Sequence, residues 1–141
     1  MKKLAILCLL ATIVGTALVQ ARENAPADDA SIQSFWEKFR TAVISGDKET
    51  VANLSQFPIG MPYGVPEVKS RAQLLRRYRQ VFNGESDAAK CFRKARPEVE
   101  KQNPKEFSVG CKNAAGDEVV IYWFRFTRTG WRFTGLDNIN E

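Results

Sequence analysis

Residues 118–127, EVVIYWFRFT, and 131–136, WRFTGL, joined by Arg128, Thr129 and Gly130, decide the fold of this 141-residue chain. In an extended backbone neighbouring side chains leave opposite faces. Val120, Tyr122, Phe124 and Phe126 therefore form one apolar face of the longer segment, and Val119, Ile121 and Trp123 form the other. A strand apolar on both faces belongs inside a sheet, with helices over one face. A ligand, a partner chain or the sheet's own curvature covers the second. The short Gly-containing connection predicts an antiparallel hairpin, and residues 107–111, ahead of the polar stretch from Asn113 to Asp117, add a third strand to a meander.

Upstream the pattern is helical. Ile32, Phe35, Trp36, Phe39, Ala42 and Val43 recur at three- and four-residue steps, which predicts a helix over 31–45 behind an N-cap at Asp28 or Asp29. Gly46 stops it, and Asp47 caps a short second helix that turns Val51 and Leu54 inward. Pro58, Pro62 and Pro66 exclude a helix or a central strand over 57–68, which reads as an extended edge segment or short hairpin that borders a pocket. Ser70 and Gln73 make a capping-box pattern at the head of a third helix over 71–82, with Leu74, Leu75, Tyr78, Val81 and Phe82 inward. Its Arg71, Arg76, Arg77 and Arg79 read as a solvated face. Residues 87–92 predict a single helical turn, and 93–105, charged and carrying Pro97 and Pro104, a loop.

Met1-Lys2-Lys3 followed by an apolar run ending in Val19-Gln20-Ala21 reads as a secretory signal peptide over 1–21, with an uncleaved anchor as the alternative. The expected organisation is this leader, a polar lead over 22–30 and one domain over 31–141. The expected location is outside the cytoplasm, the periplasm in a Gram-negative source, with no membrane span left after cleavage. The whole chain has 21 Lys and Arg against 16 Asp and Glu; without Lys2 and Lys3 the count is 19 against 16, a net +3. That mild excess does not call for a nucleic-acid partner. Cys8 leaves with the leader, so the exported chain keeps an even pair, Cys91 and Cys111, which reads as a disulfide. The chain has no histidine, which excludes a Ser/His/Asp triad, a Cys/His pair and every His-containing zinc site. No metal or cofactor is implied.

The order helix, short helix, irregular edge segment, helix, then long antiparallel strands ending in Gly130-Trp131-Arg132-Phe133 resembles the nuclear-transport-factor-like superfamily, with its ketosteroid-isomerase-like and polyketide-cyclase-like domains. The resemblance implies an α+β fold in which a curved, mostly antiparallel sheet packs on about three N-terminal helices as a cone. It also implies a pocket at the open end and, in many members, dimerisation through the sheet. A cystatin-like sheet on one helix is the second choice.

Two functions follow. The first is an exported, non-enzymatic binding domain, taking a small apolar or amphipathic molecule in the cone or a protein partner on the sheet, an envelope protein or a second copy. Its candidate lining is Trp36, Tyr63, Tyr78, Tyr122, Phe124 and Arg125, with Phe126 and Trp131 beside them. Arg125 shares a polar face with Thr127, Arg132 and Thr134 if the hairpin loop has two residues, Thr129 and Gly130; a three-residue loop breaks the grouping. The second function, implied by the resemblance, is ketosteroid-isomerase-like proton transfer, with Asp137 as base and Tyr63 or Tyr122 as hydrogen-bond donor.

Overall fold

A computed structural model describes residues 29–61 and 67–139. The expected leader, most of the polar lead and Tyr63 lie outside the described residues. Within them the order is α1 (Asp29–Ser45), α2 (Lys48–Asn53), β1 (Ser55–Gly60), α3 (Arg71–Asn83), α4 (Ala88–Cys91), β2 (Glu98–Val99), β3 (Glu106–Lys112), β4 (Val119–Thr127) and β5 (Gly130–Ile139). The fold is α+β, a five-stranded sheet in the order β1-β5-β4-β3-β2 with helices on one face.

Local chemistry sets the helix boundaries. α1 starts at Asp29, two residues ahead of the expected start, with that carboxylate in its first turn beside the positive end of the helix. It ends where Gly46 takes φ 72°. There the Gly46 N–H reaches the Val43 carbonyl at 3.1 Å and the Asp47 N–H reaches Ala42 at 2.8 Å, the paired bonds of a Schellman stop. Asp47 caps α2 by accepting the Thr50 N–H at 3.0 Å. Ser70 caps α3 by accepting the Gln73 N–H at 3.3 Å, while Gln73 Oε1 reaches back past the cap to the Lys69 N–H at 2.7 Å. Asp87 caps α4.

β3, β4 and β5 form the expected meander. β1 carries Pro58 on an edge, where a missing donor costs least, and pairs parallel with β5. Its Ile59 also bridges back to Val68. The described part of the edge segment is thus a strand that carries one antiparallel bridge to Val68, and Pro62 and Pro66 lie outside the described residues.

The two faces of the sheet differ. Val120, Tyr122 and Phe124 of β4, Phe107 and Val109 of β3, and Phe133 and Leu136 of β5 are buried against the helices. Phe39 of α1 stands edge-on to Phe124 at 5.0 Å and beside Phe133 at 5.5 Å, and Trp36 meets Phe92 at 4.8 Å. The opposite parity of β4, Val119, Ile121 and Trp123, remains half-exposed. Cys91 and Cys111 are bridged, which ties α4 to β3.

Candidate functional site

The register of β4 divides the expected site residues between the two sides of the sheet. Tyr122 pairs with Leu136 and Ile121 with Asp137. Side chains alternate along a strand, so Tyr122 belongs to the inner face and Asp137 to the outer. Tyr122 is fully buried and its hydroxyl lies 3.0 Å from Ser86 Oγ. The Asp137 carboxylate accepts the Asn138 N–H at 2.8 Å. The two groups do not face one space, and Tyr63 lies outside the described residues.

The aromatic candidates fill the inner side. Trp36, Tyr78, Tyr122, Phe124 and Trp131 are each at most 5% exposed. Phe82 stacks on Tyr122 with ring centres 5.9 Å apart, Tyr78 lies 4.8 Å from Phe82, and Phe126 meets Trp131 edge-on at 5.4 Å. Trp131 Nε1 donates to Ser31 Oγ at 3.2 Å. Among the described residues the buried polar side chains are Ser55, Ser86 and Ser108, with no carboxylate.

Tyr78 is a buried phenol whose titration is displaced. Its hydroxyl is buried without a hydrogen-bond partner among the described residues. Burial first, and the Asp47 carboxylate second, push its pKa up to about 12. The folded chain therefore keeps this proton between the ordinary value of 10.0 and about 12, where the unfolded chain has lost it. Stability declines as pH rises through that window. A phenolate absorbance titration should show a late step whose amplitude falls by one tyrosine in Tyr78→Phe.

The outer face holds the other candidates. Arg125 is exposed and forms an ion pair with Glu106 across β3 and β4, Nη2 to Oε1 at 2.6 Å. Exposure holds such a pair to a fraction of a kcal/mol, so its value is positional. The hairpin loop has two residues, as one alternative required, but they are Arg128 and Thr129, because Thr127 pairs with Gly130 at φ 94°. Arg125 then lies directly opposite Arg132. Thr134 is the residue displaced by a bulge beside Trp123 and Phe124, and its hydroxyl donates to the Trp123 carbonyl at 3.3 Å.

Beside the bulge a shallow groove of about 360 Å³ opens on the outer face, bordered by Trp123, Glu106, Arg125, Thr134 and Asp137. Its floor is Gly60 and Gly135, where β1 approaches β5 so closely that a Cβ on Gly135 would sit 3.3 Å from the Gly60 carbonyl. Glu106, Gly60 and Gly135 were not among the expected site residues. Glu106 had a signal, being one residue ahead of the expected strand and opposite in parity to Phe107. The glycines become legible only once β1 is known to pair with β5. Among the described residues no helix is long and apolar enough to cross a membrane, and no three His, Cys, Asp or Glu side chains group as a metal site.

Comparison with known proteins adds the fold's company. No protein-family model and no curated protein matches the chain. Solved structures of the NTF2-like and cystatin-like fold do resemble it. A Nostoc punctiforme domain of unknown function with a cystatin-like fold is 18% identical over 84% of this chain and 80% of its own, with a TM-score of 0.49. An NTF2-like protein from Novosphingobium aromaticivorans is 17% identical over 79% of this chain and 80% of its own, TM-score 0.44. A hexachlorocyclohexane dehydrochlorinase is 12% identical over 78% and 82%, TM-score 0.46. No activity passes from them to this chain.

Proposed function

We propose that this chain is an exported, non-enzymatic interaction domain that docks a protein partner, a second copy of itself or an envelope protein, on the outer face of its sheet. One contrast carries the reading. The inner side is filled by aromatic rings with no carboxylate among the described residues, while Val119, Ile121 and Trp123 form an apolar row on the other side that none of the described helices covers. Half-exposed tryptophan beside backbone left bare by glycine suits the centre of an interface. The small-molecule form of the reading draws less support, because Trp36, Tyr78, Tyr122 and Phe124 spend their surface on one another.

Native mass spectrometry of protein recovered from a bacterial periplasm tests this. The expected species lacks residues 1–21 and carries a second subunit or a co-purified protein. Trp123→Glu should weaken that association by about 2 kcal/mol or more, roughly thirtyfold, while the separated subunit keeps the wild-type circular dichroism spectrum. A lone wild-type subunit, or a small molecule released on denaturation, would count against the reading.

A further inference from the structure

The end of β3 lies at a sheet edge that its neighbour leaves open. β2 contributes only Glu98 and Val99, paired with Ser108 and Phe107. Beyond them Gly110 and Lys112 have no strand partner on that side among the described residues. The Glu106 carbonyl accepts the Glu100 N–H at 3.0 Å. Backbone groups alternate in direction along a strand, so Gly110 and Lys112 present theirs to the same edge; the Gly110 carbonyl touches Cys91 Sγ at 3.7 Å, but a bridged sulfur has no proton to donate, so the contact is not a hydrogen bond.

α4 runs beside this edge, fastened by the Cys91–Cys111 bridge, and a groove of about 800 Å³ opens between them. Its floor includes Cys91, Ala95 and Gly110, and its rim is Lys90, Lys94 and Lys112, all exposed. Asp87 is the lone acid of the described lining, and its Oδ1 is engaged by the Lys90 N–H at 3.0 Å.

Unpaired backbone at a strand edge templates another extended chain, and three ammonium groups against one carboxylate, Asp87, leave an excess of positive charge that selects an acidic one. We propose that this groove binds an acidic, extended peptide segment of another protein, paired to the backbone of Gly110 and Lys112 and neutralised by Lys90, Lys94 and Lys112. The bridge preorganises the groove by holding both walls, so little order has to be bought at binding. A simple polyanion would use the lysines and ignore the backbone, and that difference decides the test.

Fluorescence anisotropy with a labelled peptide of alternating glutamate and valine, against the oxidised full chain, should give saturable binding. The triple change Lys90→Glu, Lys94→Glu, Lys112→Glu should weaken it by about tenfold or more, and methylation of the peptide amides should abolish it. In the unaltered protein the peptide should shift the amide resonances of Gly110 and Lys112 and leave that of Trp123 in place. Absence of saturable binding, shifts centred elsewhere, or equal binding of the methylated peptide or inorganic polyphosphate would overturn the proposal.

Discussion

Phe39→Ala is expected to bring the domain to the margin of unfolding, with a loss of about 3 to 5 kcal/mol. Phe39 is fully buried at the meeting point of the helices and the sheet. Its ring lies 5.0 Å from Phe124, 5.5 Å from Phe133, 6.2 Å from Phe82 and 6.4 Å from Phe92. Truncation removes the transfer energy of the ring and leaves a void that four stiff neighbours on different elements cannot jointly close. A domain of this size holds about 5 to 15 kcal/mol in all. Urea titration should show the midpoint falling sharply for Phe39→Ala and less for Phe39→Leu, which refills part of the volume. Equal midpoints for wild type and Phe39→Ala would mean that the ring is not in the core.

Opening the bridge should cost about 3 kcal/mol by the chain-entropy model, because Cys91 and Cys111 are 20 residues apart and close a loop rich in charge and poor in apolar material. The double change Cys91→Ala, Cys111→Ala separates this effect from thiol chemistry. Cys111 is 1% exposed and Cys91 is partly buried against the core, so alanine keeps both sites apolar. Thermal melts should show the oxidised protein above both the reduced protein and the double variant. Coincident melts would mean that packing of α4 on β3, and not the link, holds this corner.

The helices and the meander were legible because their signals are local. Gly46, Asp47, Ser70 and Asp87 each fix a boundary through a backbone conformation or a side-chain oxygen within a few residues. The two-faced character of β4 was equally plain, since strand parity needs no partner to be counted. The parallel pairing of β1 with β5 was not legible, because it joins residues such as Ser55 and Phe133 that share no local pattern. β2 is two residues long inside a charged loop and carries too little periodicity to be seen. The site suffered from the same limit. Tyr122 and Asp137 separate onto opposite faces only through the β4–β5 register, and the Arg125, Arg132 and Thr134 grouping turns on a bulge that a linear pattern does not announce.

The position of β5 has a consequence for how this chain reaches its folded form. The last described strand is not at an edge but is inserted between β1 and β4, and its ladder with β4 is the longest in the sheet. A chain delivered N-terminus first, from a ribosome or through a membrane pore, holds β1 ready with no neighbour to pair with. The aromatic rings of α1 likewise have no Phe133 to pack on until residues 130–139 arrive. The sheet therefore closes only once residues 130–139 have been delivered. Until then β1 and the α1 rings lack partners that the finished fold gives them, and it is the topology, not the order of the sequence, that sets when they are joined.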